Sequence, residues 1–110
     1  MNKAIAAIAL LAAASLPLSA QAGGDAAAGK AKSAPCAACH GADGNSAIPI
    51  NPTLAGQHAD YLVRALQEYK SGVRQNPIMA GMAAPLSEQD MEDIAAYFAA
   101  QDGLRTPVER

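Results

Sequence analysis

Cys36-Ala37-Ala38-Cys39-His40 is the stretch of this chain whose residue types and spacing carry chemistry. Two thiols three positions apart, followed at once by an imidazole, form the attachment pattern of a c-type haem. Each thiol adds to one haem vinyl group, leaving two thioether bonds. The histidine then lies under the iron, where a ring nitrogen binds it. A bare C-x-x-C also serves as a thioredoxin-type redox pair, half a zinc site or a short disulfide. Zinc takes four ligands, and the chain has two Cys and two His. His58 would have to complete such a site, at poor spacing. A thioredoxin-like domain needs strands alternating with helices, and no run of alternating β-branched residues is present. Haem attachment is therefore the leading reading, with the thiol and metal readings as its alternatives.

The elements that position these residues belong to one small domain. Met1-Asn2-Lys3 is a short basic start, Ala4 to Leu16 is apolar apart from Ser15, and Ala20-Gln21-Ala22 fits a small-x-small cleavage pattern. Residues 1–22 thus read as a cleaved secretory signal peptide. The apolar run is shorter than the roughly 20 residues needed to span a bilayer. Export together with haem ligation places the expected location in the periplasm, an oxidising space. No stable membrane insertion is expected after cleavage. The single domain is expected over 23–110. Formal net charge is −2 with no basic cluster, which argues against a nucleic-acid partner. Hydrophobic residues make up 51% of the chain but aromatics only 4%, with no Trp. A domain this small and this rich in alanine gains from a large apolar group at its centre, held covalently.

The spacing predicts a first helix over 25–33, with Asp25 as N-cap and Lys30 and Lys32 at its C-terminal end. Pro35 is expected to stop it. Gly29 inside it suggests close approach of another helix, with Tyr97 or Phe98 on the other side. Gly41 to Ser46 is a run of turn formers. Ala47 to Leu54 is punctuated by Pro49 and Pro52 and reads as extended. An iron-bound histidine donates its other ring N–H to a fixed acceptor. The Pro52 carbonyl is the candidate acceptor, and Leu54 the candidate for packing on the haem. A second helix is expected over 59–71, its apolar stripe being Tyr61, Leu62, Ala65, Leu66 and Tyr69, with Gly72 as C-cap. Core packing accounts for that stripe. His58, just before it, reads as an exposed loop residue rather than an iron ligand.

Val73 to Leu86 shows no helical stripe and reads as a loop that carries Met79 and Met82. A thioether is a soft neutral ligand suited to haem iron. The last helix is expected over 87–101, with Ser87 as N-cap and Met91, Ile94, Ala95 and Phe98 on its buried face. Asp90 stands where a capping box prefers Glu or Gln. Leu104 to Arg110 reads as a tail.

With these segments in view, the chain resembles the class I c-type cytochromes. It looks most like the small bacterial group of cytochromes c-553 and the haem domains of cytochrome c4. The resemblance rests on Cys36-Ala37-Ala38-Cys39-His40-Gly41, Asp43-Gly44-Asn45-Ser46, Pro52-Thr53-Leu54-Ala55-Gly56-Gln57, Met79-Ala80-Gly81-Met82, Leu86-Ser87 and Asp93-Ile94-Ala95-Ala96-Tyr97-Phe98. It implies an all-α fold, with three main helices and loops wrapped around one covalent haem c. It implies thioethers at Cys36 and Cys39, with iron held by His40 and by Met79, Met82 being the runner-up. It also supports Pro52 as the acceptor for His40. The function implied is that of a one-electron carrier, not an enzyme, serving redox proteins such as a dehydrogenase, oxidase or reductase as a monomer or weak dimer. A rim of Ala37, Ala38, Ile48, Ile50, Ala80 and Ala83 is the expected partner surface. The alternatives are a haem subunit of a dehydrogenase or oxidase complex, or a peroxidase or gas sensor if the methionine bond is labile.

Overall fold

The computed structural model describes residues 7–9, 12 and 23–105. Most of the expected leader, 1–22, and the tail beyond residue 105 lie outside them. Among the described residues there are five helices: α1 Ala26–Lys32, α2 Ala34–His40, α3 Ala59–Ser71, α4 Pro77–Ala83 and α5 Glu88–Ala99. None of these is a strand, and none is long and apolar enough to cross a membrane. The all-α expectation holds, with two short helices in addition to the three expected.

Helices α1, α4 and α5 begin where a side chain replaces the missing backbone acceptors. The Asp25 carboxylate accepts the N–H groups of Ala27 and Ala28 at 2.9 and 3.3 Å. Ser87 Oγ accepts the Asp90 N–H at 3.1 Å, and Asp90 Oδ2 accepts the Ser87 N–H at 2.9 Å. Asp90 thus closes a capping box despite its shorter side chain. Pro35 does not simply end α1. It sits in the first turn of α2, where a missing N–H leaves no hydrogen bond unmade. Gly72, at φ 84°, ends α3 in the left-handed conformation.

The segment 73–86 departs from the expected loop. Asn76 Oδ1 accepts the N–H groups of Ile78 and Met79 at 3.0 and 3.1 Å, and Pro77 opens α4. At the first position of a helix the missing proline N–H leaves no hydrogen bond unmade.

Helix α1 crosses α5, α3 packs on α5, and α4 packs on α3. At the α1–α5 crossing Gly29 faces the Asp93 carbonyl and the Tyr97 Cβ. Leu62, Ile94, Ala95, Tyr97 and Phe98 form the buried cluster, with the Tyr97 and Phe98 rings 5.1 Å apart. Burying a side chain such as Phe98 contributes about 1.5–3 kcal/mol. Asp93 is also buried, 3% exposed. Its carboxylate accepts the Asp25 N–H at 2.8 Å, Gln89 Nε2 at 2.8 Å and Lys32 Nζ at 2.6 Å.

The strap between α2 and α3 is sewn to the end of α5. Tyr97 Oη donates to the Ala42 carbonyl at 2.8 Å, the Gly56 N–H to the Phe98 carbonyl at 3.0 Å, and the Leu104 N–H to the Ala55 carbonyl at 2.7 Å. These bonds fix where residues 51–55 lie, and so where Pro52 can meet His40.

Candidate functional site

Helices α2 to α5 and the strap enclose an apolar cavity of about 400 Å³. That is within the roughly 300–1,000 Å³ of small-molecule and cofactor sites. Cys36, Cys39 and His40 line it from α2, Pro52 and Leu54 from the strap, and Met79 and Met82 from α4. The whole expected stripe of α3, Tyr61, Leu62, Ala65, Leu66 and Tyr69, lines it too. A stripe read as core packing therefore faces the cavity. Ile94, Ala95 and Phe98 of α5 complete the wall.

The chemistry of α2 follows from its being a helix. Residues three and four apart share a face, so Cys36, Cys39 and His40 point the same way. Gly41, at φ 87°, stops the helix directly after the histidine. Cys36 is half-buried, Cys39 is exposed and both are free thiols. Burial pushes the Cys36 thiol up from its ordinary range.

His40 is buried at 7% exposure. Its Nδ1 lies 2.7 Å from the Pro52 carbonyl oxygen. A carbonyl only accepts, so this contact places the ring proton on Nδ1 and leaves the Nε2 lone pair free to bind a metal.

Met79 is half-buried and Met82 is 45% exposed. They stand one turn apart on α4 and both reach the cavity wall. Leu54 is half-buried against the core cluster. His58 is exposed at the start of α3 and takes no part in the cavity. Of the expected rim, Ile48 and Ile50 are 55% and 85% exposed. Ala83 is fully buried, so it belongs to the core and not to a surface. Arg74 and Asn76 also line the cavity, and neither stood out in the sequence.

This donor set suits a haem. Two thiols and an imidazole share one helical face, thioethers approach from another helix, and the remaining wall is largely apolar. A flat apolar macrocycle with two thiol-reactive edge groups is what such a cavity takes.

A helical frame closed around a cavity of this kind is the architecture of the class I c-type cytochromes. Residues 26–101 match the cytochrome c family profile. The chain belongs to that family, whose cofactor is covalently bound haem c with its iron. Over 101 residues it is 52% identical to cytochrome c4 of Pseudomonas aeruginosa, covering 92% of this chain and 49% of that protein. Over 82 residues it is 46% identical to cytochrome c-554(548) of Halomonas halodenitrificans, covering 72% of this chain and 99% of that one. The crystal structure of reduced recombinant cytochrome c4 from Pseudomonas stutzeri matches with a TM-score of 0.70 at 51% identity, over 74% of this chain and 47% of the other. The chain spans about half the length of the cytochrome c4 relatives it matches.

Proposed function

We propose that residues 23–110 form a periplasmic monohaem electron carrier, exported by a leader over 1–22. Cys36 and Cys39 hold the haem through thioethers, and His40 Nε2 and the Met79 sulfur bind its iron. The haem supplies a one-electron Fe(III)/Fe(II) couple. The chain's own residues do the rest. Pro52 orients His40 and raises its basicity through Nδ1. Leu54, Leu62, Ile94 and Phe98 keep water from the site, and a low-dielectric wall with a methionine ligand favours the reduced state. With His40 and Met79 both bound to the iron, no position would be left for a substrate, so the proposed role is transfer between redox proteins and not catalysis at iron.

The observation that carries this reading is the 2.7 Å contact between His40 Nδ1 and the Pro52 carbonyl. A catalytic or disulfide-forming C-x-x-C has no need of a histidine held with its outer nitrogen bare. The test is to express the full chain with a cytochrome c maturation system and denature the product in acidic organic solvent. Haem retained by the polypeptide, and a methionine–iron charge-transfer band in the native ferric spectrum, are expected. Met79→Ala should lose the band and Met82→Ala should keep it. A colourless product, where a control cytochrome matures, overturns the proposal. Rapid CO binding to the reduced protein at neutral pH overturns the carrier role alone.

A further inference from the structure

A second groove, of about 360 Å³, shares no lining residue with the cavity described above. Gly23 and Gly24 form one side of it, Asp60, Val63 and Arg64 of α3 another, and Glu92 of α5 a third. A Cβ on Gly24 would overlap the backbone carbonyl of Glu92, so a glycine is what lets the chain lie this close to α5. The next residue is pinned as well, because the Asp25 N–H donates to Asp93 Oδ1 at 2.8 Å. Together these contacts keep Gly23 at the groove.

The charged residues that line the groove are Asp60, Arg64 and Glu92. Arg64 is already matched, its Nε lying 2.8 Å from Glu68 Oε1. Among the described residues the ion pairs are Lys32 with Asp90 and Asp93, and Glu68 with Arg64 and Arg74. Neither Asp60 nor Glu92 takes part in one. Asp25, the acid nearest to Gly23 along the chain, is turned to the N–H groups of Ala27 and Ala28. Two carboxylates therefore face one groove without a cation of their own. Their mutual repulsion falls if a positive charge is placed between them.

The leader reading, on which this inference rests, supplies that charge. A leader peptidase adds water across the Ala22–Gly23 amide. The C–N bond breaks, the leader departs as a carboxylate, and the Gly23 nitrogen takes both protons of the water to become an ammonium. We propose that this groove seats the mature N-terminus, with the Gly23 ammonium held between the Glu92 and Asp60 carboxylates. In the precursor the same nitrogen is an uncharged amide and makes no such pair. Removal of the leader thus adds a contact that joins the start of α1 to α3 and α5, and the processed chain is the more stable one. The two carboxylates hold the ammonium above its ordinary value of about 7.7–8.0. Its stabilisation is complete below that ordinary value and is lost as pH rises through the raised one.

The test uses reduced, matured holoprotein exported with its own leader. Mass spectrometry first reads where the exported chain begins. A start at Gly23 is expected. Any other start overturns the cut after Ala22, and the seat with it, before a titration is made. The Gly23 α-carbon resonance is then followed by NMR across the ordinary ammonium value, about 7.7–8.0, at low ionic strength. Wild type, Asp60→Asn and Glu92→Gln are compared with a free Gly-Gly-Asp peptide. The wild-type ammonium should hold its proton about two- to fivefold more tightly than the peptide, as exposed ion pairs do. Each variant should lose part of that gain. A wild-type midpoint equal to that of the peptide, or variants that titrate as the wild type does, overturns the proposal. If a variant does not fold, the wild type decides: added salt should return its midpoint to that of the peptide, and a midpoint indifferent to salt overturns the seat.

Discussion

Gly29 of α1 lies directly against the backbone carbonyl of Asp93 in α5. A Cβ built on Gly29 would overlap that carbonyl and come within 2.9 Å of the Tyr97 Cβ. The two helices can cross this closely because one side chain is missing, and the crossing sets where α5 presents Ile94, Ala95 and Phe98 to the cavity.

Gly29→Ala should therefore destabilise the protein. Overpacking against backbone costs about 1–3 kcal/mol, which exceeds the roughly 1 kcal/mol that alanine gains over glycine inside a helix. Gly81→Ala makes the contrast. A Cβ on Gly81 meets nothing within 4 Å, and this residue lies about 200° around α4 from Met79 at 3.6 residues per turn. It should gain up to about 1 kcal/mol of stability. Denaturant unfolding of the two holoproteins checks both signs, and a stabilised Gly29→Ala would rule out the close crossing.

The same crossing carries an acid-sensitive contact. The Asp93 carboxyl is held down to about 2 from its ordinary 3.8, first by the Lys32 ammonium, then by the Asp25 N–H and by Gln89. Asp90 is held down to about 2, first by the Ser87 N–H and then by Lys32. Both folded values lie below the unfolded ones. The stabilisation they supply is complete above about pH 4 and is lost as pH falls through about 2. Asp93→Asn should lower stability at neutral pH and flatten its dependence between pH 4 and 2. Acid titrations of wild type and variant, followed by circular dichroism with haem absorbance in parallel, separate this loss from loss of the iron ligands. Equal slopes for the two proteins in that window would remove Asp93 as the acid-labile group.

Much of this architecture is legible in the sequence because it is local or periodic. The stripe from Tyr61 to Tyr69 and Gly72 give α3 its bounds. Asp25 and Ser87 mark two helix starts, and an interior Gly29 signals the crossing. Residues that depend on short elements are harder to read. At seven residues, α4 is too short to show a stripe, and Pro77 marks a helix start only once Asn76 is seen as its cap. Pro35 hides α2 in the same way. The face of α3 is ambiguous for a different reason: an apolar cofactor and an apolar core select the same side chains. Ala83 carries no signal that separates core from rim, since alanine suits both. Arg74 is a single cation after a glycine, and only tertiary packing brings it to the cavity wall.

The C-terminal end of α3 grips the connection from α4 to α5. Lys70 Nζ donates to the Leu86 carbonyl, and Gln67 Nε2 donates to Glu88 Oε2 at 2.6 Å. These two contacts restrain the segment that follows Met79 and Met82. Lys70→Met keeps most of the apolar stem and removes the donor. It should raise amide hydrogen exchange several-fold across 77–86 while leaving α1 and α5 unchanged. A uniform rise over the whole chain would show a global loss of stability in place of a local release.

Asn76 links the start of α4 directly to the candidate iron ligand, because one of the two N–H groups its side chain accepts is that of Met79. Asn76→Ala leaves that N–H and the Ile78 N–H without their acceptor. Loss of an N-cap costs about 0.5–2 kcal/mol, and here the loss falls on the turn that carries the thioether. Asn76→Asp retains the acceptor oxygen and should behave nearly as the wild type. The expected pattern in the holoprotein is a methionine–iron band that fades at lower temperature in Asn76→Ala than in the wild type or Asn76→Asp, ahead of the global unfolding seen by far-ultraviolet circular dichroism. If band and fold are lost together at one unchanged temperature in all three proteins, the cap contributes nothing to holding Met79, and α4 owes its position to packing on α3 alone.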